Sequence, residues 1–176
     1  AGQFEDPFDL ALATDIVGGR VFGVNRGGAV SLLQWPAAGS LARLGLGCAG
    51  SFGVPRLEAF PGTTPLLGAT VPMQLHALPF APGLGVLALG DSIAFANGLP
   101  LPVPLDAVGL PGCRAWIPLQ ATAVFSHGGL QAQIAVAVPA LPALAGVPFG
   151  LQVLVLDPLA ANGFGAVTNA LVLIAR

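Results

Sequence analysis

The sequence predicts an all-β chain, a β-sandwich of jelly-roll or immunoglobulin-like type with nine to eleven short strands and one disulfide. Three observations carry that expectation. The chain is 55% apolar, with six Arg and eight Asp or Glu among 176 residues, so it can bury a core and lacks the signature of disorder. Its 25 Gly and 17 Pro interrupt every apolar run, which is incompatible with long helices. Between the interruptions, apolar residues either alternate with period two or fill short stretches completely.

Taken in chain order, residues 1–44 have a texture of their own. Glu5, Asp6, Asp9 and Asp15 make an acidic head, β-like runs follow at 20–24 and 29–35, and Pro36-Ala37-Ala38-Gly39 is a break. This segment is expected to be an N-terminal β extension and a candidate exchanged or docking strand, with the sandwich domain over 45–176. Ala1 and the polar stretch after it have the look of a mature end left by cleavage. Further on, His76 alternates with apolar neighbours in Met73-Gln74-Leu75-His76-Ala77 and is expected to face outward. Residues 90–96 read as a strand. In 115–125 the odd positions are apolar and Pro118 demotes the first part to an edge or bulge. In 130–138 the bulky residues occupy even positions, which makes one face core. Residues 149–156 and 170–174 are apolar on both faces and belong in the middle of a covered sheet. Asn97-Gly98 and Asn162-Gly163 supply the left-handed conformations of tight turns, and 140–146 has room for one helical turn, limited by Pro142.

Charge and its absence exclude whole classes of function. Near-neutral chains with scattered Arg lack the basic patch that nucleic acid requires. Residues 59–90 and 115–156 contain no Asp, Glu, Lys or Arg, yet each holds several prolines, so neither is a membrane-spanning helix. The lack of Tyr and the presence of only two Trp argue against the aromatic girdles of a membrane barrel. Cys48 and Cys113 read better as one disulfide than as zinc ligands, which would need two partners at recognisable spacing; two buried thiols are the alternative. A disulfide would place the protein outside the cytoplasm.

From residue 45 onward the chain resembles a known family. The residues that carry the likeness are Gly45-Leu46-Gly47-Cys48-Ala49-Gly50-Ser51, Val54-Pro55-Arg56-Leu57, Leu89-Gly90-Asp91-Ser92, Gly98-Leu99-Pro100-Leu101-Pro102 and Gly109-Leu110-Pro111-Gly112-Cys113. Pro139-Ala140-Leu141, Phe149-Gly150-Leu151-Gln152, Asp157 and Asn169-Ala170-Leu171 complete the set. The pattern is similar to a secreted β-rich domain of unassigned function that recurs in extracellular proteins of planctomycetes and some myxobacteria. The resemblance implies paired cysteines, export and a structural role, and it supplies no catalytic residues.

Motifs that suggest chemistry give way to plainer readings. Gly45-Leu46-Gly47-Cys48-Ala49-Gly50 fits GxGxxG, but Ser51-Phe52-Gly53-Val54-Pro55 cannot begin the helix a dinucleotide site needs. Gly90-Asp91-Ser92 and Ser126-His127-Gly128-Gly129 resemble esterase blocks, but the Asp-x-x-His block expected near the C-terminus in that esterase class is absent. His127 is expected at a solvated hairpin tip. Neither His76 nor His127 has a second ligand at metal spacing, and Glu5-Asp6-x-x-Asp9 lacks the spacing of a calcium loop. No sugar-stacking platform can be read from Trp35 and Trp116 alone. No cofactor, metal or catalytic residue is therefore expected.

A β-sandwich with so little charge must expose apolar residues, and large apolar patches mark interfaces. The sequence thus points to a secreted or cell-surface structural subunit, not an enzyme, that self-associates as a homo-oligomer or polymer into a fibre, sheath or surface layer. The alternative is a secreted carbohydrate-binding or adhesion module with a cell-surface glycan as partner. A serine hydrolase using Ser92 and His127 is a distant third.

Overall fold

A computed structural model describes residues 38–176 and, as backbone strands only, 11–15, 20–24 and 30–34. The chain divides into the units Ala1–Ala37 and Ala38–Arg176. In the first, β1 (Ala11–Asp15), β2 (Arg20–Val24) and β3 (Val30–Gln34) form an antiparallel meander. The β runs expected at 20–24 and 29–35 are β2 and β3. Because β1 pairs with β2 from Ala11↔Val24 to Asp15↔Arg20, the end of the expected docking segment is paired within the chain. Residues 1–10, with Glu5, Asp6 and Asp9, and Trp35 lie outside the described residues.

The second unit holds thirteen strands, all in antiparallel pairs. Its larger sheet runs β12 (Ala121–His127), β7 (Gly83–Gly90), β14 (Pro148–Leu156), β16 (Ala170–Ile174), β4 (Ser40–Leu44), with β15 (Gly165–Val167) beside β14. Its smaller sheet runs β13 (Gln131–Ala137), β6 (Thr70–His76), β5 (Arg56–Ala59). The count exceeds nine to eleven because the connection from β7 to β12 adds two short ladders, β8 (Phe95–Ala96) with β9 (Leu99–Pro100) and β10 (Val103–Pro104) with β11 (Arg114–Ala115). The body starts at Ala38, earlier than the texture change at 45, because β4 pairs along its whole length with β16.

Alternation builds the core as expected. Leu57, Val71, Met73 and Leu75 of the small sheet pack with Leu87, Leu151, Val153, Leu171 and Leu173 of the large one, which makes a two-layer sandwich. Residues 149–156 and 170–174 became β14 and β16 in the middle of the large sheet, and every residue of β16 is buried. The β6–β7 and β12–β13 segments form one antiparallel ribbon bent over both layers, since β6 pairs with β13 and β7 with β12. Leu78 donates its N–H to the Leu130 carbonyl across the bend, at 3.0 Å. Asn97 (φ 50°) and Gly98 (φ 80°) form the two-residue turn between Ala96 and Leu99, the left-handed pair such a hairpin demands. Asn162 instead serves a longer loop, where its side-chain oxygen accepts from the N–H groups of Phe164 and Gly165. The helical turn allowed at 140–146 is a single 3-10 turn, Pro142–Leu144.

The outer face of the large sheet is covered by chain from two loops. Cys48, Leu110 and Cys113 cluster there with Ala166 and Val167, and Ile117 packs on Ala88 and Ala170. Cys48 and Cys113 form the disulfide, with Cα atoms 5.0 Å apart. Among the described residues of this unit, two sides of the sandwich are left open. One is edged by β12 and β13, the other by β4 and β5.

Candidate functional site

The residues of the glycine-rich motif and of the motifs at 152, 157 and 169 are structural pins. Gly45 (φ +64°) leaves its face free for the Trp116 ring, which a Cβ there would strike. Trp116 donates its indole N–H to the Leu46 carbonyl at 3.0 Å, so its ring is committed to the loop that follows β4. The Gly50-Ser51 loop is anchored by Asp157, a buried carboxylate that accepts the Ser51 N–H at 2.6 Å and the Leu159 N–H at 3.2 Å. Gln152 is buried on the large sheet, donates to the Arg114 and Thr168 carbonyls and accepts from the Trp116 N–H. These side chains pair with backbone groups that the strand ladders leave over, from the buried Thr168 carbonyl to the N–H of the exposed Ser51.

The hydrolase motifs do not assemble. Ser92 accepts the N–H groups of Ala94 and Phe95 and so closes a turn, where a strand through 90–96 had been expected. Asp91 is tied to Gln120 through its side chain and its N–H. His127 pairs with Gly83 at the far end of the β7–β12 ladder, whereas Leu89, beside the Asp91 loop, pairs with Ala121. Six residue steps along the strand separate the two ends, about 20 Å, too far for a serine–histidine hydrogen bond. His127 is also not a solvated tip. It is buried at the bend into β13, with Nδ1 3.3 Å from the Gly129 carbonyl and Nε2 without a partner. The physical reason is the bend itself, which carries the chain from one layer to the other through Gly128-Gly129 where a hairpin would have turned back into solvent.

The polar chemistry gathers on the side edged by β4 and β5. Leu57 and Leu75 point into the core, so Arg56, Glu58, Gln74 and His76 point out. Arg56 lies opposite His76, and Glu58 opposite Gln74. Glu58 pairs with Arg43 of β4 and lies 3.8 Å from His76 Nε2, so His76 has the carboxylate neighbour that sequence spacing did not reveal. Val54, Arg56, Glu58, His76 and Ala77 line a depression of about 530 Å³. A neighbouring one of about 200 Å³ is lined by Arg43, Leu46, Gly47, Val54, Arg56 and Asn169. Arg56 stands between them, and its guanidinium has no hydrogen-bond or ion-pair partner among the described residues. Among those residues no group of three His, Cys, Asp or Glu is placed to hold a metal ion, and no helix is long and apolar enough to cross a membrane.

Asn169 closes the backbone of this edge. Its side-chain oxygen accepts the Leu57 N–H and its amide donates to the Leu57 carbonyl, both at 3.0 Å. A single carboxamide thus takes the place that a neighbouring strand would fill. Among the described residues the β12 edge has no such closure. Ala121, Thr122, Ala123 and Val124 are exposed in succession, and Leu119, Leu84 and Phe80 are exposed around the strand.

No protein family, curated protein or solved structure matches the chain.

Proposed function

We propose that the chain is an extracellular structural subunit, without catalytic activity, that self-associates through the β12 edge. The observation that supports this reading most is the character of that edge: seven residues paired, among the described residues, on one side only, with no charge, proline or glycine among them. Natural sheets blunt exposed edges with charges, prolines or bulges, and an apolar edge left open is a template for another strand. A second copy is the natural occupant, because two uncharged strands meet without repulsion and Val124, 68% exposed, gains cover. The pairing is antiparallel β12 to β12, a two-fold contact that closes as a dimer. Extension into a fibre, sheath or surface layer needs a second contact, which we assign to the charged N-terminal unit. The disulfide supports an oxidising setting, outside the cell or at its surface.

Sedimentation of Val124→Lys tests the pairing. Wild-type protein is expected to sediment as a dimer or larger species and the variant, with an unchanged circular dichroism spectrum, as a monomer. A wild type that stays monomeric at high concentration overturns the proposal, as does a variant that assembles unchanged.

The carbohydrate-binding reading remains as an alternative. Trp116 offers it little, since the ring rests on Gly45, but the polar face of the small sheet favours it.

A further inference from the structure

Six polar side chains are aligned on the outer face of the small sheet. Strand register sets Arg56, His76 and Gln131 in one row across β5, β6 and β13, and Glu58, Gln74 and Gln133 in the next. Gln74 donates to the Gln131 side-chain oxygen at 3.1 Å, a diagonal link between the rows. Residues 38–176 contain four Arg and four Asp or Glu, yet two of those Arg, 43 and 56, converge here with one carboxylate. The face is thus the cationic spot of a neutral body.

We propose that this face binds an acidic polysaccharide, with a uronate carboxylate held between Arg56 and Arg43. Guanidinium forks match a carboxylate in two-point geometry. The glutamine amides and His76, which both donate and accept, suit the hydroxyls of the flanking sugars. An acidic peptide fits less well, because a peptide gains its affinity at a sheet edge through backbone pairing and Asn169 already occupies the Leu57 N–H and carbonyl. Glu58 competes with the ligand for Arg43. The inference gives the binding alternative a place and a ligand class and does not depend on strand pairing, since Arg43, Arg56 and Glu58 lie on the side away from β12.

Calorimetric titration of the full chain at low salt with oligogalacturonate, and with a neutral galactose oligomer of equal length, tests it. The acidic sugar should bind and the neutral one should not. Arg56→Ala should weaken binding about tenfold or more, while Glu58→Gln should strengthen it by releasing Arg43, a gain that a merely damaged fold would not give. Val124→Lys should bind as wild type does, which separates failure of this site from failure of assembly. No binding, equal binding of both sugars, indifference to Arg56→Ala, or weaker binding by Glu58→Gln overturns the proposal. Polyglutamate bound as tightly, with the same dependence on Arg56, also overturns it, because unselective anion attraction would then account for the face.

Discussion

The two open sides of the sandwich solve the same physical problem in opposite ways. On one side β4 and β5 leave edges that are charged by Arg43, Arg56 and Glu58, tied across the layers by the Arg43–Glu58 pair, and closed at Leu57 by Asn169. On the other, β12 presents an uncharged strand with four successive exposed residues, and β13 beside it exposes Gln131, Gln133, Ala135 and Ala137. An unpaired edge invites another strand unless something prevents it. The difference teaches that the scarcity of charge is not uniform neglect: three of the eight charged residues in 38–176 gather on the side where pairing is blocked, and β12, which has none, is where pairing is expected.

Four perturbations bear on this contrast, in falling order of size. Replacing both Cys48 and Cys113 by Ser should lower stability by about 4 kcal/mol, read from urea midpoints. It leaves both edges as they are, so the assembled state of the folded fraction should not change. Asn169→Ala should cost on the order of 3 kcal/mol, because it strands the Leu57 N–H and carbonyl in a buried position. It should also make the guarded side resemble the open one, seen as larger species in light scattering that Val124→Lys does not suppress. Glu58→Gln removes an exposed ion pair and should shift the urea midpoint by under about 1 kcal/mol, which shows that the charges guard the edge more than they hold the fold. Val124→Lys should change monomer stability least, within about 0.5 kcal/mol, while abolishing pairing.

Much of the architecture was legible because strands write their burial into alternate positions. The even-position core of 130–138, the predominantly apolar β14 and the all-apolar β16, the Asn97-Gly98 turn and the pairing of Cys48 with Cys113 all follow from residues near one another or from chemistry with few options. The residues of the glycine-rich and polar motifs were visible, but their work was not: Gly45, Gln152, Asp157 and Asn169 act on partners far away in the chain. The polar face was half legible. Arg56 with Glu58, Gln74 with His76 and Gln131 with Gln133 are each spaced by two and so share a face, yet their alignment into rows needs the order β13-β6-β5. His127 was misplaced because a Gly-Gly step between strands reads the same whether the chain turns back or crosses to the other layer.

The central claim is that β12 is a pairing edge and β5 is not. Amide hydrogen exchange of the wild-type protein at rising concentration addresses it most directly, because pairing protects N–H groups that a monomer leaves to solvent. The account predicts that protection across 121–127 grows with concentration while that across 56–59 stays constant. Protection at 121–127 that does not change with concentration in samples spanning monomer to assembly, or a rise confined to 56–59, would contradict it.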